Sequence, residues 1–152
     1  MINRRTFLST CASAVALLAS WRPAWAQTTN SANVTFILFN DFYLMGEQPF
    51  PDGKTRGGFA RLAAIIKAER AKAAAEGRTV IVAHGGDTLS PSVMSGLDHG
   101  AHIVALTNML APDIFVAGNL ELDFGKAIFL ELMAEAKFPL YGANLRDATG
   151  AT

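Results

Sequence analysis

Cysteine is almost missing from this chain: Cys11 is the single one among 152 residues. It lies in a segment that reads as an export leader, so what remains has no thiol for a disulfide, for nucleophilic catalysis or for a cysteine-ligated zinc. Charge is sparse and balanced, with 17% charged residues, 13 basic and 13 acidic. Removing Arg4, Arg5 and Arg22 with the leader leaves 10 basic residues against 13 acidic, a formal −3. No basic stripe offers itself to nucleic acid. Long apolar runs are lacking too. The uncharged stretch from Cys11 to Ser20 is about half the roughly 20 residues a bilayer-spanning helix needs, and Trp21-Arg22-Pro23 interrupts it. A stable membrane anchor is not expected. Lipidation is not expected either, because Cys11 precedes the apolar run instead of following it.

What the N-terminus does contain is Asn3-Arg4-Arg5-Thr6-Phe7-Leu8, then the apolar stretch, then Ala24-Trp25-Ala26 with small residues where a signal peptidase reads. The paired arginines followed by Phe7-Leu8 resemble a twin-arginine signal, a type read by an export machinery that carries folded proteins. Residues 1–26 are therefore expected to be removed, and residues 27–152 to act as one small domain in the periplasm or outside the cell.

Within that domain, Val34-Thr35-Phe36-Ile37-Leu38-Phe39 and Thr79-Val80-Ile81-Val82-Ala83 are apolar and β-branched or aromatic on both faces, the pattern of buried parallel strands. Between them, residues 46–58 form a loop by their glycines and prolines, and Phe59 to Glu76 is helical: Phe59, Leu62, Ala63, Ile66, Arg70 and Ala73 share a stripe, and Gly77 ends it. Asp98 is placed to cap a helix running to about Leu110. Ile114-Phe115-Val116 is a third strand, a helix starts at Phe124 or Gly125, and Phe138-Pro139-Leu140-Tyr141 gives a fourth strand. The order βαβαβαβ predicts an α/β fold with a mainly parallel sheet and flanking helices.

Ligands bind at the carboxyl ends of the strands in such sheets. That rule brings together Asn40-Asp41, Gly85-Gly86-Asp87 and Gly118-Asn119. Asp41, Asp87 and Asn119 all offer oxygen, which suits hard divalent cations. A single aspartate after a strand is more often a turn former or cap; three at one rim point to a metal site.

Several blocks resemble the calcineurin-like metallophosphoesterases, specifically their 5′-nucleotidase branch. They are Phe39-Asn40-Asp41-Phe42-Tyr43, Gly57-Gly58-Phe59-Ala60-Arg61-Leu62, Gly85-Gly86-Asp87, the stretch from Gly118 to Gly125, and Tyr141-Gly142-Ala143-Asn144-Leu145, in that order. The resemblance implies the N-terminal half of a four-layer α/β/β/α sandwich. It also implies two divalent metal ions, such as manganese, magnesium or zinc, and hydrolysis of a small phosphate ester or nucleotide by metal-activated water. By position, Asp41 would bind the first ion, Asp87 bridge both and Asn119 bind the second.

Three departures bear on activity. Tyr43 stands where the family places a histidine ligand, and is either a ligand or a packed aromatic. Leu120 stands where the family has a histidine that meets the phosphate, oriented by the residue equivalent to Asp123; leucine moves no proton, and losing a general acid or base costs roughly 10² to 10⁴ in rate. Further histidines and a C-terminal domain of the family have no counterpart before Thr152. The expectation is thus a phosphoesterase-like chain with a partial site, Asp123 left without its partner, and weak or no turnover. The competing expectation is a non-catalytic remnant or an α/β module that binds a metal or a partner. His84, the pair Asp98 and His102, and the phosphate-attracting candidates Arg56 and Arg61 are secondary. Strands apolar on both faces, with a second sheet not encoded in these residues, also predict exposed apolar surface. N-terminal sequencing of the exported chain is expected to begin at Gln27, and replacing Arg4 and Arg5 by lysine is expected to stop export.

Overall fold

The computed structural model describes residues 33–146 and 148–150; the expected leader, residues 1–26, lies outside the described residues. Four strands make the main sheet: β1 (Val34–Phe39), β4 (Thr79–His84), β5 (Ile114–Val116) and β6 (Leu140–Tyr141). They pair in that order, all parallel. The crossovers are α1 (Phe59–Ala75), a short α2 (Ser95–Asp98) with α3 (Ala101–Leu110), and α4 (Gly125–Glu135). A two-residue hairpin, β2 (Gln48–Pro49) with β3 (Thr55–Arg56), lies inside the stretch expected to be only loop. Its turn holds Pro51-Asp52-Gly53, and the Gly53 N–H donates to the Phe50 carbonyl at 2.9 Å.

Strand order that follows chain order has a consequence. Right-handed crossovers all stepping in one direction deliver their helices to the same face of the sheet. On that face Val82 packs with Phe59 and Ile66 of α1 and Ile103 and Leu110 of α3, supported by Ile37, Phe39 and Val80. Phe115 continues the layer against Val104 of α3 and Phe129 and Leu132 of α4. The guanidinium of Arg70 reaches from α1 to the end of α3 and donates to the Leu110 and Ala111 carbonyls at 3.1 and 2.7 Å. Arg70 therefore belongs to the helical stripe as a cap for a neighbouring helix, where orphan carbonyls need donors.

The opposite face is open, and here the expectation of strands buried on both faces fails. Phe36 and Leu38 are 67% and 72% exposed, and Val34, Val116 and Tyr141 are exposed with them. The register places Phe36 beside Ile81, Leu38 beside Ala83, Ala83 beside Ile114, and Val116 beside Tyr141 on this face. Every residue of β1 except Thr35 is apolar, so its sequence could not tell a covered face from an uncovered one. Exposed apolar surface, expected from the sequence, is what the sheet presents.

The Asp98 cap forms, with an added turn. Asp98 closes α2, and its carboxylate accepts the N–H of Gly100 at 3.0 Å and of His102 at 2.9 Å, starting α3. The His102 ring Nδ1 also meets it at 2.8 Å. Burial pushes the Asp98 carboxyl upward, but the hydrogen bonds from the His102 ring, the His102 N–H and the Gly100 N–H outweigh it and hold the group below its usual range. The pair is a cap, with the His102 side chain only 12% exposed. Phe36→Lys with Leu38→Lys is expected to reduce dye binding and self-association while changing stability by no more than about 1 kcal/mol. Light scattering beside a denaturant melt measures both, and unchanged association would show that this face does not drive it.

Candidate metal centre

β1, β4 and β5 each end in a loop at the same rim, and hydrogen bonds tie the loops together, main-chain between the first two and through carboxylates to the third. The Asp41 N–H donates to the Gly86 carbonyl at 3.1 Å, and the Gly85 N–H to the Phe39 carbonyl at 2.8 Å. The Thr88 hydroxyl donates to the Phe42 carbonyl at 2.8 Å. Asp41 and Asp87 both sit in left-handed backbone, with φ of 54° and 56°, a conformation that aspartate tolerates better than most residues and that collects at functional sites. The third loop closes on the second: the Leu120 N–H donates to Asp87 Oδ1 at 2.9 Å. Asn119 follows Gly118 on the exposed rim. All three expected ligands therefore occupy adjoining loops.

Two glycines make that closeness possible. A Cβ on Gly86 would fall on the Gly118 nitrogen and the Val116 carbonyl oxygen, and a Cβ on Gly118 on the Asp87 carboxyl group. Glu121, in the 3₁₀ turn Leu120–Leu122, fills the space behind them and is 1% exposed. Its Oε2 accepts the N–H of Asp87 at 2.9 Å and of Gly118 at 2.5 Å, and its Oε1 accepts the N–H of Thr88 at 2.7 Å. Sequence reasoning passed over Glu121. The available signal was an acidic residue two positions after a candidate ligand in a tight turn.

The remaining candidates divide. Tyr43 is half-buried and lines, with Asp41, Phe42, Phe50 and Arg56, a cleft of about 220 Å³ beside the rim. Arg56 is paired with Asp52 and lies over the Phe50 ring at 4.6 Å. Arg61 is held by Glu47 at 2.6 Å and by the Thr55 carbonyl at 2.6 Å. Both guanidinium groups thus have acidic partners and brace the hairpin. Leu120 is half-buried beside Asp87. Asp123 is not left without a partner, because the Ser90 hydroxyl donates to its Oδ2. Ser90 is 4% exposed, and nothing in the spacing of the two residues announced the contact.

His84 is a packed residue. It is fully buried between the rings of Phe39 and Phe115, with centroids at 4.3 and 4.9 Å, and its Nδ1 accepts the Gly86 N–H at 3.1 Å. Nε2 has no hydrogen-bond partner. Burial pushes its pKa down to about 4.

Among the described residues, no three His, Asp or Glu side chains gather as a ligand cluster. The donors at the rim are two carboxylates and an amide oxygen. That set fits a magnesium-like or manganese-like cation, which is commonly held by one or two carboxylates and keeps several waters.

No protein-family model matches the chain. The venom 5′-nucleotidase of Crotalus adamanteus is 33% identical over 130 residues, covering 81% of this chain and 21% of that protein. The chain is similar to 5′-nucleotidases over most of its own length. Solved structures share the fold: the NAD nucleotidase of Haemophilus influenzae matches at a TM-score of 0.66 and 24% identity, covering 76% of this chain and 24% of that one. The calcineurin-like phosphoesterase YfkN of Bacillus subtilis follows at 0.59 and 19%, covering 77% of this chain and 38% of that one. The chain spans about a fifth of the length of the curated 5′-nucleotidases it matches. No helix among the described residues is long and apolar enough to cross a membrane.

The His84 environment generates a pH dependence. The unfolded chain takes up a proton on this ring below its ordinary value of about 6.5, whereas the folded chain does so only near 4. Stability is therefore complete above pH 6.5 and is lost as the pH falls from 6.5 towards 4, by about 3 kcal/mol in all. Denaturant melts between pH 7.5 and 4.5 are expected to show this slope in the parent and not in His84→Phe; equal slopes would assign it to other groups.

Proposed function

We propose that residues 27–152 are the metal-binding, N-terminal part of an exported phosphoesterase of the 5′-nucleotidase type. Asp41, Asp87 and Asn119 would hold divalent cation, and a small phosphate ester or nucleoside phosphate would be the substrate. The observation that carries this reading is the joining of three strand-end loops by hydrogen bonds, main-chain between the first two and through the Asp87 and Glu121 carboxylates to the third, with both aspartates in left-handed backbone. The kinship with nucleotidases supports the substrate class. A divalent cation bound there would polarise the phosphoryl group and activate a water.

The chain's own residues do the positioning. Asp87 gives one oxygen to the Leu120 N–H and keeps the other for an ion. Asn119 adds a neutral donor at the rim. Leu120 occupies the place of a proton-transferring side chain and transfers none, so this chain turns over weakly or serves as a non-catalytic metal-binding part; its contribution to chemistry is limited to its main-chain N–H. Asp123 holds the Ser90 hydroxyl in place of an imidazole.

The full chain with Mn²⁺, tested on an aryl phosphate and on a nucleoside 5′-monophosphate, separates the alternatives. Saturable Mn²⁺ binding is expected, lost in Asp87→Asn, with turnover at least about 10²-fold below that of a relative carrying the histidine. Absence of Mn²⁺ binding in the parent would remove the site. Rapid turnover abolished by a chelator would remove the claim of weak activity and leave the metal site standing.

A further inference from the structure

Glu121 is a charged side chain in a place where charge is costly. A carboxylate taken out of water is tolerated only when its oxygens are hydrogen-bonded, and all three of its donors are main-chain N–H groups. Those donors are not scattered through the core. They belong to Asp87 itself, to Thr88 after it, and to Gly118 immediately before Asn119. One carboxylate thus binds the loop after β4 to the loop after β5, at the two points where the expected ligands leave the backbone.

The tie is reciprocal. Asp87 Oδ1 accepts the Leu120 N–H from the same turn that carries Glu121. The exchange closes a ring: the turn's N–H holds the Asp87 side chain while the turn's carboxylate holds the Asp87 main chain. Gly86 and Gly118 leave no side chain between the loops, so the carboxylate sets their separation.

We propose that Glu121 is the positioning residue of the metal centre, fixing the Asp87 and Asn119 loops at their working separation before a cation arrives. This rests on the reading of Asp87 and Asn119 as ligands. Glu121 itself spends its oxygens on amide groups and touches no ion. Removing the partners that orient metal ligands typically costs 10- to 100-fold in affinity.

The test uses the full chain with Mn²⁺ alone, followed by the paramagnetic signal of the free ion, and amide hydrogen exchange of the metal-free protein. Glu121→Gln sets an amide donor against main-chain donors. It is expected to weaken Mn²⁺ binding roughly 10- to 100-fold and to strip exchange protection from the Asp87, Thr88 and Gly118 amides. Ile103→Val, a buried change in the helical layer, serves as a control that lowers stability and is expected to leave both readouts unchanged. If Glu121→Gln does not fold, Glu121→Asp keeps the charge and draws it back by one methylene, and is expected to weaken binding at unchanged net charge. Parent-like affinity and protection in a folded Glu121 variant overturn the positioning role. A parent chain that binds no Mn²⁺ overturns the ligand reading on which it stands.

Discussion

The arrangement at the rim depends on one buried carboxylate and the three main-chain N–H groups pointed at it. Each of those groups sits in a loop that leaves a strand, where no ladder partner is available. A buried N–H without an acceptor costs about as much as a lost hydrogen bond, so three of them on adjoining loops would push the loops apart towards water. Glu121 reverses that tendency and draws the loops to backbone contact. The left-handed turn at Asp87 is held from both sides, its N–H by Glu121 and its side chain by Leu120. The neighbouring turn at Asp41 is held by the Gly86 carbonyl. The left-handed backbone at these aspartates is thus supported by contacts in which every donor is a main-chain N–H.

The sheet below the rim has a contrasting economy. One face carries the buried aromatic and aliphatic layer, and the other carries Phe36, Leu38, Val116 and Tyr141 in the open. Parallel sheets are ordinarily covered on both faces. An apolar outer face of this kind is the surface that a second packed layer covers in such sheets. The rim and the open face are independent features: the loops are joined to each other by hydrogen bonds and do not rely on whatever covers the strands.

Much of this was legible in the residues. β1 and β4 are runs of β-branched and aromatic side chains, α1 carries its stripe at helical spacing, and the aspartates after two strands marked the rim. Other parts were hidden for physical reasons. The uniform apolarity of Phe36-Ile37-Leu38-Phe39 erases the alternation that would reveal an open face. The small hairpin is built from residues that also spell a loop, and its two-residue strands depend on Arg61 and Glu47 meeting across 14 positions. Glu121, between two leucines, carries no local sign of its role, because its donors come from loops as far as 34 positions away. A separation of 33 positions concealed the contact between Ser90 and Asp123.

The order of the strands also sets an order of assembly. In the main sheet every strand pairs with the one made just before it, so each can dock as it emerges, although the parallel partners lie 25 to 45 positions apart and such long closures slow folding. The rim is different. Asp41 and Asp87 are synthesised well before the glutamate that fixes the second of them, so the loops after β1 and β4 exist for some time without their fastening. The candidate centre is the part of this fold completed from its C-terminal side, after the strands that carry it are already laid down.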